Sequence, residues 1–175
     1  MKNLAFLAGG ALAAVTAALA LGIIAAGKKG DPGFFGPGVL IADINLACEI
    51  LLVLGLTFGF LLARKGKIEA HRVNQTTWVL VNAALVVFIM ASSLQDVKLK
   101  SIADLADLRI GVTWLHALLG TLAVAAGIWL VLQMNDLLPQ RFHVSWWKNL
   151  MRLTLAGYWA VALLGFATYY FWYVG

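Results

Sequence analysis

The sequence predicts an all-α integral membrane bundle of five transmembrane helices, and three observations carry that prediction. Of 175 residues, 62% are hydrophobic and 12% charged. Mean hydropathy is +0.89, which leaves too little polar surface to cover a water-soluble globule. The apolar residues fall in five runs, about 4–26, 37–63, 74–94, 110–133 and 150–173. Each is near the roughly 20 residues a helix needs to cross a hydrocarbon core about 30 Å thick. The connections are short, so residues 1–175 read as a single transmembrane domain.

The first run, an Ala/Leu stretch behind Met1-Lys2-Asn3, also reads as a secretory signal peptide ending in small residues near Ala26. It is longer than a typical signal core, which favours a retained helix. Its small residues Gly9, Gly10, Ala13, Ala14, Ala17 and Ala18 allow the close helix contact by which apolar spans associate in lipid. Gly30-Asp31-Pro32-Gly33 and Gly36-Pro37-Gly38 punctuate the next connection, and Pro37 marks the expected start of the second span.

Lysine and arginine in the connections set the orientation. With the N-terminus inside, that side collects Lys2, Arg64, Lys65, Lys67, Arg72, Arg141, Lys148 and Arg152, against Lys28, Lys29, Lys98, Lys100 and Arg109 outside, eight against five. The C-terminus is then outside. Trp78, Trp146 and Trp147 suit the inner interface, and Trp114, Tyr169, Tyr170, Trp172 and Tyr173 the outer one. The net charge of +5 describes cations beside anionic lipid heads, and without a compact basic patch nucleic-acid binding is excluded. The lone Cys48 reads as a small packing residue. No phosphate loop and no nucleophile triad is present, which favours a non-catalytic role.

Chemistry is expected where polar groups lie inside the apolar runs, because a carboxylate at the centre of a span is unfavourable by roughly 2.5–3.5 kcal/mol. Asp43 lies about six residues into the second span, or roughly 9 Å, and His116 lies at the same depth in the fourth. A carboxylate–imidazole pair would fix the ring and turn its other nitrogen toward a metal, haem or quinone, or would only tie two helices together. Asn45, Cys48 and Glu49 continue a polar strip down the second span. His71, Gln75, Asn82 and Ser93, at successive spacings of 4, 7 and 11, form a strip on the third. The two strips are expected to face each other, with Glu49 protonated or hydrogen-bonded to a group such as Asn82. Thr113, Gly120 and Gly127 near the His116 face leave room for a neighbour or a flat ligand. His71 and His143 fall at the inner interface, either approaching each other as ligands or standing solvated beside arginines.

His71-Arg72 leading into Gln75-Thr76-Thr77, Leu115-His116-Ala117, and Met151-Arg152-Leu153-Thr154 followed by Gly165 to Tyr169 resemble a bacterial membrane family. That family is known as domain of unknown function 420, and it includes the CtaM maturation factors of haem-A-type terminal oxidases. The resemblance covers about residues 37–173. It implies a multi-pass protein of the bacterial cytoplasmic membrane, working near haem or copper with other subunits of an electron-transport complex. The family's first two histidines fall on His71 and His116, whereas its third falls on Trp147, with His143 one turn earlier. Three readings follow: an accessory or assembly subunit of a haem-containing respiratory or photosynthetic complex, a haem-binding b-type electron carrier using His116, and a proton conduit through Asp43 and Glu49.

Overall fold

Five long helices alternate in direction across the bundle. The computed structural model describes residues 2–26, 30–90, 94 and 97–175. The helices are α1 (Lys2–Ala26), α2 (Leu40–Arg64), α3 (Ile68–Leu85, continued by a π-helical turn Val86–Met90), α4 (Leu108–Met134) and α5 (Trp147–Tyr173). All five are long and apolar enough to cross a membrane. Among the described residues the one departure from helix and loop is a bridge between Pro32 and Val39. Ser93, Lys28 and Lys29 lie outside the described residues.

Two helix starts differ from the sequence expectation. Pro37 does not open α2, because the Gly33 amide bonds the Gly38 carbonyl and the Leu40 amide bonds the Asp31 carbonyl, folding residues 31–39 into a loop. Asp43 therefore stands in the first helical turn, near the positive end of the helix dipole, and not six residues into the helix. α3 begins six residues before 74, at Ile68, because its polar first turns have partners: the side chains of His71, Asn74 and Gln75 bond α2.

Helices α2 to α5 enclose the main core, built from Leu52, Val53 and Leu56 of α2, Val79 of α3, Ala123 and Val131 of α4, and Tyr158, Val161 and Ala162 of α5. α1 lies outside this group, mostly against α3. Ala5, Gly9, Ala13 and Ala17 repeat every four residues and form its buried stripe, whereas Ala14 and Ala18 face outward. A Cβ on Gly9 would stand 2.8 Å from the Thr76 Cβ, so the two backbones meet there as the small residues predict. Cys48 packs with Ala13, Val81, Leu85 and Ile89. The outward faces carry Leu51, Leu54 and Phe58, Leu115, Leu118 and Leu122, and Leu163 and Phe166, all exposed. Such a girdle is a liability in water and the expected exterior in lipid.

Alternation gathers Arg64, Lys65, Lys67, Arg72, Arg141, Lys148 and Arg152 at one end of the bundle, with Glu69 and Asp136 as that end's acids among the described residues. At the other end a short 3₁₀ turn (Ile102–Ala106) precedes α4. Asp104 closes a capping box there, accepting from the Ser101 and Lys100 amides at 3.0 and 2.7 Å and from the Ser101 hydroxyl at 3.1 Å. These amides hold its carboxyl below the ordinary carboxylate range. The folded-state value lies below the unfolded one. The turn's stabilisation is thus complete above the unfolded value and is lost as pH falls through the folded value. Amide exchange at Lys100 and Ser101 is expected to accelerate below pH about 4 in the parent and to be fast and insensitive to this titration in Asp104→Asn. Equal protection in both proteins would refute the assignment.

Candidate functional site

The basic end contains a buried histidine that is one of the residues lining a cavity. His71 sits in the first turn of α3 and is 2% exposed. Its Nδ1–H donates to the Gly59 carbonyl of α2 at 2.8 Å. A carbonyl only accepts, so the neutral ring carries its lone pair on Nε2. That Nε2 is buried and has no hydrogen-bond partner in the protein, and His71 is one of the residues lining a cavity of about 360 Å³ between α2, α3, α4 and α5. An imidazole fixed through one nitrogen and open at the other is the arrangement proteins use to orient a ligating histidine.

The approach of α3 to α2 that makes this geometry depends on Gly55 and Gly59. A Cβ at Gly59 would stand 2.4 Å from Asn74 Nδ2, and one at Gly55 would stand 2.1 Å from Trp78 Cε2. With no side chain there, three donors of α3 reach the α2 main chain: His71, Asn74 Nδ2 to the Gly55 carbonyl at 2.8 Å, and Gln75 Nε2 to the Leu56 carbonyl at 3.0 Å. Trp78, expected as an interfacial anchor, is a packing residue of this contact.

The cavity is chemically two-sided. Leu56, Val79, Leu130 and Leu155 give it an apolar interior, while Arg64, Arg72, Lys148 and Arg152 stand at the helix ends that border it. Its lining contains no carboxylate among the described residues. Arg72 is positioned by Glu69 at 3.2 Å and by the Asn135 side-chain oxygen at 3.3 Å. Asn135, 1% exposed at the end of α4, also donates to the Thr76 hydroxyl at 3.3 Å and to the Val131 carbonyl at 2.8 Å. The Thr154 hydroxyl, on the α5 wall, is buried without a partner. Trp147 lines the same cavity.

The other polar residues form separate arrangements. Asp43, fully buried, does not meet His116: its carboxylate accepts from the Phe35 amide at 2.5 Å and from the Tyr169 hydroxyl at 2.6 Å. Tyr169 is thus a buried-acid partner more than an interfacial anchor. His116 donates from Nδ1 to the Val161 carbonyl at 3.0 Å, and its acidic neighbour is Glu49, at 3.9 Å. Glu49 packs on α5 at Gly165, where a Cβ would collide with its carboxylate. The expected facing of the α2 and α3 strips therefore fails. His71 and Gln75 meet α2 main chain, and Asn82 lies beside the Tyr158 hydroxyl. Asn45 Oδ1 is buried with no hydrogen-bond partner. Beside His116 a Cβ on Gly120 would make ordinary contact with Val161 at 3.6 Å, whereas Gly127 is closed by Tyr158 and Val79. His143 is exposed and bonds the Leu138 carbonyl at 3.0 Å, so it does not join His71. Among the described residues no group of three His, Cys, Asp or Glu side chains converges as a metal site.

The cavity was not readable from the sequence. Asn135 lies just past the fourth apolar run, and the only signal for it was a polar residue at a helix end. Comparison with known protein families, with characterised proteins and with solved structures finds no match to this chain.

Proposed function

We propose that the protein is a non-catalytic accessory or assembly subunit of a haem-containing electron-transport complex in a bacterial cytoplasmic membrane. On this reading its working site is the basic-end cavity and its ligand is a haem-type group approached by His71. The observation that carries the reading is His71, a residue of the cavity lining whose Nε2 is buried and unpartnered and whose Nδ1 is fixed to the Gly59 carbonyl. The surroundings fit such a group. Apolar walls suit a macrocycle, Trp147 offers an aromatic face, and the bordering cations suit propionates. Bound haem would supply redox or carrier chemistry. The protein's part is to hold it by one imidazole and screen it from lipid.

A b-type carrier needs two axial donors at one site, whereas His71 lines the basic-end cavity and His116, beside Val161 and Glu49, is not among its lining residues, which favours the accessory role. Asp43 and Glu49 keep different partners, which weighs against a continuous proton path. The positive-inside rule sets the cavity on the cytoplasmic side. The small extramembrane mass leaves the exposed apolar helix faces as the contact surfaces for other subunits.

Haemin titrated into the purified protein is expected to give a Soret band at one haem per chain. His71→Ala is expected to abolish that band while leaving the helix content intact. His116→Ala is expected to leave the band unchanged. A parent protein that leaves haemin unbound would remove the haem reading.

A further inference from the structure

The bordering charges add a selectivity that His71 alone does not provide. Arg64 ends α2, Arg72 lies in the first turns of α3, and Lys148 and Arg152 lie in the first turns of α5, so three helix ends bring four cations to one cavity. Arg72 shares its charge with Glu69. Arg152 donates to the neutral Asn149 side-chain oxygen at 3.4 Å, and Lys148 lies over the Trp147 ring at 5.4 Å. Neither arrangement cancels their charge. Val79 lies eight residues along α3 from His71, about 12 Å farther in, so charge and apolar wall are separated along the bundle axis. The same lining includes His71 and Thr154, whose Nε2 and Oγ1 are buried polar atoms without protein partners. In a bilayer such atoms are retained where something polar comes to meet them.

We infer that the cavity selects amphiphiles by an anionic head, carboxylate or phosphate, held by Arg152, Lys148, Arg64 and Arg72, with the apolar body lying inward along Leu56, Val79 and Leu155. This rests on the cavity being the working site and not on haem being the ligand. The head contributes charge-assisted hydrogen bonds, and Arg152 and Arg72 offer the planar fork that carboxylate and phosphate accept in two bonds. The Thr154 hydroxyl and His71 meet the polar part of the ligand below the head. A neutral molecule of the same shape would leave the cations uncompensated and gain nothing from them.

The test uses the whole protein in nanodiscs of phosphatidylcholine, with tryptophan fluorescence as the readout. Two ligand pairs are compared, oleate with oleyl alcohol and haemin with its dimethyl ester. The charged member of each pair that binds is expected to bind at least tenfold tighter than its neutral partner. The double variant K148Q/R152Q, at exposed positions, is expected to fold normally and to lose that preference while keeping the affinity for the neutral member. Adding phosphatidylglycerol to the disc identifies the source. Displacement of oleate assigns the site to a lipid headgroup, and retention assigns it to a free anionic amphiphile. Equal binding of charged and neutral members, or full preference retained by K148Q/R152Q, overturns the inference, as does failure of every charged probe to bind. If haemin fails while oleate is held with charge preference, the haem reading falls and this one stands. If haemin and its ester bind alike, the reverse holds.

Discussion

Replacing Asp43 with alanine is expected to destabilise the protein by about 3–6 kcal/mol, from two lost bonds to a charged group at roughly 1.5–3 kcal/mol each. The carboxylate is fully buried and accepts from the Tyr169 hydroxyl and the Phe35 amide. Its removal leaves both donors facing a void that water does not readily fill. Gly33 and Gly38 close over the site, since a Cβ on either would touch Asp43 or Tyr169. The substitution also removes an anion from the first turn of α2, where the helix dipole favours it. Asp43→Asn keeps one acceptor oxygen and the shape, so its loss should be clearly smaller. Reversible unfolding in mixed micelles, followed by tryptophan fluorescence, measures both. Equal stability of parent and D43A would mean that the loop over α2 is held by other contacts.

Gly55→Val is expected to cost about 3 kcal/mol, the upper end for overpacking, and to abolish ligand binding at the cavity. The new Cβ would fall 2.1 Å from Trp78 Cε2 and 2.2 Å from its Nε1. The indole is rigid and packs against the main core, so the helices must separate. Separation breaks the His71, Asn74 and Gln75 bonds to α2 and so frees the ring that presents Nε2. Trp78→Ala in the G55V background should restore part of the stability, a coupling that a double-mutant cycle reads directly. Gly157→Ala is the control, because a Cβ there meets nothing within 4 Å. A G55V protein as stable as the G157A protein would show that α2 and α3 are not in the described contact.

The spans were legible because apolar runs of membrane length are a long-range signal that single polar residues do not erase. The start of α3 was not, because Glu69, His71, Arg72 and Asn74 make its first turns look like a connection. They are helical since their side chains reach α2 backbone or the basic end. Partner choice failed for another reason. Sequence period gives the face that Asp43 and His116 each occupy on its own helix, but not how the helices are rotated against one another. Both turn toward α5, one to Tyr169 and the other to Val161. His71 was singled out on its residue type and on the resemblance. Its open nitrogen depended on a glycine twelve residues away, which no local pattern ties to it.

The three bonds from α3 to α2 end on carbonyls of the chain itself, and this sets where α2 tolerates change. Amino-acid replacement cannot delete a main-chain oxygen, so the joint survives any exchange along α2 that does not place bulk at positions 55 and 59. Leu51, Leu54 and Phe58 are accordingly free to drift with the thickness or makeup of the host bilayer, while the histidine on the neighbouring helix stays aimed.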